Sequence, residues 1–138
     1  MSAMIPRMSD YPDTHLDLLD AQVATLATLE PDDQPQLSEI WFLHDDGEIR
    51  LSLNTARRKT QNLIARDRCT LLILDLANPM RYLEVRARAR IEPDDDHAFA
   101  AKLHGKYGAD VAAYDQPGDR RGAVTLEPIR IRPVDMSG

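Results

Sequence analysis

The chain has one cysteine, Cys69, no long apolar run, and a deficit of positive charge. A lone cysteine excludes an internal disulfide and any multi-cysteine metal site. Cys69 opens the run Cys69-Thr70-Leu71-Leu72-Ile73-Leu74, where a thiol is expected as buried packing and not as a nucleophile. No segment approaches the roughly 20 apolar residues a membrane helix needs, and Met1 to Tyr11 shows no cleavage-site pattern. A cytoplasmic protein with no membrane partner is therefore expected. The 17 Lys and Arg against 23 Asp and Glu leave a net charge of −6, so whole-chain electrostatics give nucleic-acid binding no support. Histidine is scattered at His15, His44, His97 and His104. Only His97 and His104 share a helical spacing, two turns apart, which is too far for one metal ion. There is no GxGxxG, no P-loop and no Ser-His-Asp set. Lacking nucleophile, metal and acid–base pair, an enzyme of this sequence would leave the hard chemistry to a bound cofactor.

What is present reads as one globular unit. Hydrophobic residues make up 43% and charged residues 29% of 138, a balance that supports a single core. Residues 1–138 are read as one domain, with an arm and short helix in 1–20 and a barrel in 22–132. The short helix is expected over about Asp13 to Leu19. Strands are expected over Gln22 to Leu29, Gln36 to Leu43, Glu48 to Leu53, Thr70 to Asp75, Arg81 to Glu92 and Ala123 to Arg132. Asp45-Asp46-Gly47 is a hairpin turn. Thr55 is placed as the N-cap of a helix over Thr55 to Asp67, and Pro93-Asp94-Asp95-Asp96 as the opening of a second helix ending before Gly108. Pro128 inside the last strand implies an edge position or a bulge. Six strands joined by hairpins, with helices outside, make a mainly β fold with flanking helices, an antiparallel barrel.

Positive charge concentrates at Arg57-Arg58-Lys59, directly after a strand and at a helix start. Unpaired helix N–H groups, guanidinium forks and a lysine suit a phosphate, with Ser52 and Thr55 as hydroxyl donors. The same triplet also reads as a solvated basic turn. Arg86, Arg88 and Arg90 share one face of the longest strand; Arg88 and Arg90 are read as solvated, and Arg86 stays open. Trp41 and Phe42 are adjacent, so one faces inward and the other outward. An outward aromatic points to a dimer interface or a ring-stacking wall, or to ordinary packing.

Three stretches together resemble the pyridoxamine 5′-phosphate oxidase-like split β-barrel superfamily. They are Pro35-Gln36-Leu37-Ser38-Glu39-Ile40-Trp41-Phe42, Arg57-Arg58-Lys59-Thr60-Gln61-Asn62-Leu63, and Asn78-Pro79-Met80-Arg81-Tyr82-Leu83-Glu84-Val85-Arg86. The resemblance runs in order and spacing over about Val23 to Ile131. It is greatest to the F420-dependent flavin/deazaflavin oxidoreductases common in actinobacteria. What it implies is a six-stranded antiparallel split β-barrel, an FMN-binding split barrel in architecture, that works as a homodimer with the cofactor site at the interface. The implied cofactor is coenzyme F420, with FMN as the alternative. Arg58 and Lys59 fall where relatives hold the cofactor phosphate, with Ser52 and Leu53 on the strand end beside it and Asn62 nearby. Gln36, Leu37 and Ser38 fall along the deazaflavin ring, and Tyr82 falls where the partner subunit reaches the ring edge.

The vitamin B6 oxidases carry arginine where Gln36 stands and lysine where Trp41 stands, which favours the F420 branch. Within that branch, Ala87 replaces the usual glycine and Met80 a frequent aromatic. The implied activity is hydride transfer between reduced deazaflavin and an electron-poor small-molecule substrate: a quinone, an enone or a nitroaromatic. Two alternatives remain. One is a non-catalytic carrier of flavin, deazaflavin or haem, and the other is an FMN-dependent oxidase of the pyridoxamine phosphate type.

Overall fold

The computed structural model describes residues 11–137, so the expected arm before Tyr11 lies outside the described residues. A 3-10 helix, Asp13–Asp20, leads into β1 (Ala24–Leu29), β2 (Pro35–Ile40), β3 (Leu43–Asp45) and β4 (Glu48–Asn54). Helix α1 (Arg58–Ala65), β5 (Arg68–Leu74), β6 (Arg81–Pro93), helix α2 (Ala98–Tyr107) and β7 (Arg121–Asp135) follow. The strands form one antiparallel sheet in the order β2-β1-β5-β6-β7-β4-β3. Its two edge strands, β2 and β3, are joined by Trp41 and Phe42 alone. Two residues span only about 7 Å, so the sheet has to curl until its edges approach. Burial alternates along β1 and β5, with Ala24, Leu26, Cys69, Leu71 and Ile73 inside. The period of two thus gives the barrel one apolar inner face. Among the described residues, no helix is long and apolar enough to cross a membrane.

Seven strands appear among the described residues where six were expected, because the second one breaks. Phe42 is fully buried while Trp41 lies flat on the Tyr107 ring, centroids 4.2 Å apart. The Tyr107 hydroxyl accepts from Phe42 N–H and donates to Phe42 O, each at 3.1 Å. A side chain on α2 therefore replaces a strand partner at the point where the chain crosses from one sheet edge to the other. The hairpin that follows turns at Asp46 and Gly47, both with positive φ (51° and 78°), the backbone that matches strand twist in a two-residue loop.

Both helix starts fall later than expected. Thr55 does not cap α1: its hydroxyl donates to Arg120 O, Ala56 N–H turns back onto Asn54 Oδ1, and Arg57 takes the N-cap position with extended backbone. Pro93 ends β6 and does not open α2. The buried Asp94 carboxylate instead reaches forward to accept from Phe99 and Ala100 N–H, both at 3.0 Å, satisfying first-turn donors from outside the helix. Gly108 does end α2, at φ 65°. Pro128 marks a bulge and not an edge, since β7 lies between β6 and β4.

Candidate functional site

Where β4 runs out into α1, the curled sheet leaves a pocket of about 500 Å³. One wall is the end of β2 with Trp41, and the floor is Ser52, Leu53 and Asn54. Lys59 and Arg57 come from the start of α1, while Asp110, Val111 and Tyr114 close it from the segment after α2.

Alternation within β4 gives way near its end, where Leu51, Ser52, Leu53 and Asn54 are all buried. Ser52 accordingly carries a buried hydroxyl with no hydrogen-bond partner. Such a group costs free energy unless something fills its bonding capacity. Lys59 has no acidic or hydrogen-bonding partner among the described residues. Burial pushes its pKa below the ordinary lysine value, and the positive charges of Arg57 and Arg121 push the same way. A buried unpaired hydroxyl, a lysine crowded by cations and a nearby free arginine make an arrangement that an anion would relieve.

The second half of the basic triplet faces elsewhere. Arg58 Nε donates to both oxygens of Glu30 at 2.9 Å, and Asn62 Nδ2 donates to the same carboxylate at 2.8 Å. These contacts hold the Glu30 carboxyl down at about 2, with the Arg58 hydrogen bond as the largest cause. Ser52, Leu53 and Lys59 thus share the pocket, while Arg58 and Asn62 are engaged behind it with Glu30.

On β2, Gln36 accepts from the Thr28 hydroxyl at 2.9 Å, and Ser38 presents a second buried hydroxyl without a partner. Leu37, between them, points to the opposite face and is 65% exposed. The three therefore do not offer their side chains to one ligand. As an edge strand, β2 can still offer its unpaired backbone groups. Tyr82 is opposite Leu74 and Val134 on the outer face of the sheet and does not line this pocket.

The pocket is organised by a group that sequence reasoning missed. Arg121, 6% exposed, donates to both Asp115 oxygens at 2.8 and 2.9 Å, to Val111 O at 2.8 Å and to Ser52 O at 3.2 Å. Asn54 Nδ2 donates to Asp115 and Asp119, at 3.0 and 2.9 Å. Together these residues pin the segment carrying Val111 and Tyr114 over the floor. The one local cue was Asn54 followed by Thr55 after a strand, a turn signal; Asp115 and Arg121 lie between the expected second helix and the expected last strand, where no pattern marks them.

Comparison with known proteins then bears on this geometry. The sequence profile of the family described as pyridoxamine 5′-phosphate oxidase matches residues 12–135. A comparison with curated proteins gives no match. Among solved structures, an F420 reductase is 32% identical with a TM-score of 0.76, over 88% of this chain and 98% of that one. A conserved hypothetical protein from Mycobacterium tuberculosis is 27% identical with a TM-score of 0.73, over 98% of this chain and 89% of that one. The heme storage protein HutZ from Vibrio cholerae has a TM-score of 0.71 over 90% and 95% of the two chains, at 15% identity, which bears on the fold alone.

Proposed function

The chain belongs to the pyridoxamine 5′-phosphate oxidase family, and from that premise we propose that it is an oxidoreductase that uses coenzyme F420. The observation that carries this reading is the pair of unsatisfied donors on one pocket, the buried Ser52 hydroxyl and the partnerless Lys59. They fit the phosphate of a flavin or deazaflavin, and Arg57 adds a second cation in reach of the same group. The likeness to the F420 reductase, over nearly all of that chain, favours the deazaflavin over FMN.

In this reading Lys59 and Ser52 hold the phosphate, with Arg58 and Asn62 as a supporting layer that fixes α1 against β1 through Glu30. The edge of β2 at Gln36, Leu37 and Ser38 runs along the ring system. Trp41, immobilised on Tyr107, walls off one side and excludes water there. When bound, the deazaflavin supplies a two-electron hydride carrier, and the substrate is an electron-poor small molecule such as a quinone, enone or nitroaromatic. A proton for the product comes from solvent, from Ser38 or from Tyr82. Tyr82 is remote from the pocket within one chain, so its participation requires a homodimer in which each copy completes the other's site.

Equilibrium binding of F420 and of FMN to the apo-protein, side by side, tests the reading. Tighter binding of F420 is expected, followed by turnover with a quinone or nitro acceptor. A preference for FMN would move the protein to the flavin branch. Binding without turnover would make it a carrier, and no binding of either would remove the phosphate site.

A further inference from the structure

Strand β6 outruns one of its neighbours. Its ladder with β5 ends where Arg68 faces Arg88, whereas its ladder with β7 continues to Pro93. One further bond on the β5 side runs from Ala89 N–H to Asp67 O at 2.8 Å, and on the β7 side Asp94 N–H donates to Arg121 O at 2.9 Å. Backbone groups of successive strand residues alternate between the two neighbours, so Ala89, Ile91 and Pro93 face away from β7. Proline has no N–H to offer. Past Ala89, Ile91 therefore presents the one backbone N–H of this open edge, and it has no backbone partner among the described residues.

The edge opens into a groove of about 430 Å³ that shares no residue with the pocket at the end of β4. Ahead of Arg68 the chain is turned away into α1, so Leu63 and Ile64 stand where a longer β5 would have run. Ile64 is 58% exposed there. Ala89, Ile91 and Gly122 line the other side. A Cβ on Gly122 would lie 3.0 Å from Ile91 Cγ2, so the glycine keeps that side low.

The rim of the groove is acidic. Asp67, Glu92 and Asp95 line it against Arg120 alone. Asp67 is taken by Arg88 at 3.2 Å, but Asp95 meets Arg120 only at 4.0 Å. Glu92 has a third share of Arg90, which lies 2.9 Å from it, 3.3 Å from Glu127 and 3.9 Å from Glu48. The balance at the rim is negative.

We propose that this groove docks an extended segment of a partner protein as a short added strand on the β6 edge, a branched apolar residue opposite Ile91 and a basic residue on either side of it. In strand addition, main-chain bonds give the docking mode and side-chain pockets the selectivity. A residue that exchanges both bonds with Ile91 carries its side chain on the same face as Ile91, towards Leu63 and Ile64. Its basic neighbours complement the acidic rim. Pro93 keeps the added strand short, which protects the edge from unselective pairing. The proposal does not depend on the cofactor reading.

Titration of the full chain with acetyl-Lys-Val-Lys-Val-Lys-amide tests it, read by calorimetry and by exchange of the Ile91 amide in NMR. Saturable one-to-one binding is expected, with slowed exchange at Ile91. A peptide with glutamate in place of lysine should not bind, and N-methylation of the valines should weaken binding roughly fivefold. Ile64→Ser should weaken it on the order of tenfold, and Glu92→Gln combined with Asp95→Asn about threefold. All three side chains are exposed, so the fold is retained, which circular dichroism checks. Lys59→Ala should leave peptide binding unchanged. Absence of saturable binding, equal binding of the glutamate peptide, unchanged exchange at Ile91 or loss with Lys59→Ala would overturn the proposal. Hexylamine binding as tightly as the peptide would overturn it in favour of a small amine. A dimer in sedimentation that Ile64→Glu dissociates, together with no peptide binding, would overturn it and assign the edge to a second copy of the chain.

Discussion

Two arginines flank the pocket at the end of β4, and each is held by a carboxylate, yet the two pairs differ in what surrounds them. The Arg121 and Asp115 side chains are 7% and 16% exposed, and every Arg121 contact ties one part of the pocket to another. The Glu30 carboxylate is about as covered as Asp115, at 18% exposed, but the Arg58 side chain that meets it is 64% exposed, so the contrast lies in the two arginines. Between them, Lys59 has no carboxylate partner among the described residues. Burial, and not the chemistry of the pair, decides the role. A buried pair that loses one member leaves an uncompensated charge, whereas an exposed pair gives the lost partner back to water. The first is therefore a structural pin, the second trims local charge, and the unpaired lysine is left for a ligand.

The sharpest way to break the comparison is to remove the carboxylate from the buried pair. Asp115→Ala strands Arg121 beneath the segment it anchors and should cost about 3 kcal/mol, the lower end for breaking a buried pair. The loss should appear in urea denaturation, with faster proteolysis between Gly108 and Gly122. The Arg121 hydrogen bond holds the Asp115 carboxyl below its ordinary value. The pair's contribution is therefore present above the unfolded-state pKa and disappears as pH falls through the folded one. A variant as stable as the parent at neutral pH would show that Arg121 is adequately solvated without its partner.

This contrast also marks how far the sequence could be read. The alternation on β6, the turn at Asp46-Gly47 and the buried Cys69 are local patterns, and local patterns are what a sequence displays. The break at Trp41-Phe42 was not legible, because it depends on Tyr107, 65 residues further along. The helix starts were misplaced for the same kind of reason. Thr55 was a sound N-cap by type, but Arg120 O, across the fold, competed successfully for its hydroxyl. Within the pocket, Ser52 and Lys59 were legible because strand end and helix start are neighbours in sequence. Arg121, Asp115 and Asn54 meet only through the pairing of β4 with β7, which no short window contains. The triplet Arg57-Arg58-Lys59 could be found but not divided, since the division is set by Glu30, 28 residues upstream.

Lys59→Ala tests the unpaired member. It removes a charge-assisted hydrogen bond and should weaken F420 binding by about 1.5–3 kcal/mol, with little change in the urea midpoint because no partner is orphaned. Arg58→Ala should weaken binding less, since its guanidinium is already occupied by Glu30. Because burial depresses the Lys59 pKa, its charge is lost at lower pH than for an ordinary lysine. Affinity should accordingly fall as pH rises through that depressed value, and the fall should vanish in Lys59→Ala. Equal losses for Arg58 and Lys59 would erase the distinction between the two halves of the triplet.

The smallest effect is expected at the exposed pair. Glu30→Gln keeps the shape and one acceptor for Arg58 and Asn62 while removing the charge, so its thermal midpoint at neutral pH should move less than that of Asp115→Ala. Its pH dependence carries the information. The Glu30 carboxyl is held at about 2 in the folded chain against an ordinary value of 4.5. A depressed folded pKa contributes stability that is present above about 4.5 and is lost as pH falls from there towards 2. The parent and Glu30→Gln should therefore differ above that window and converge as it is crossed. Added salt should shrink the difference, because a surface pair is screened within about 10 Å at 0.1 M ionic strength. Salt should leave the Asp115→Ala deficit largely intact, since a buried pair is screened much less. A Glu30 effect that resists salt as the Asp115 effect does would mean that the two pairs are buried alike, and that Arg58 belongs with Arg121 as a structural pin.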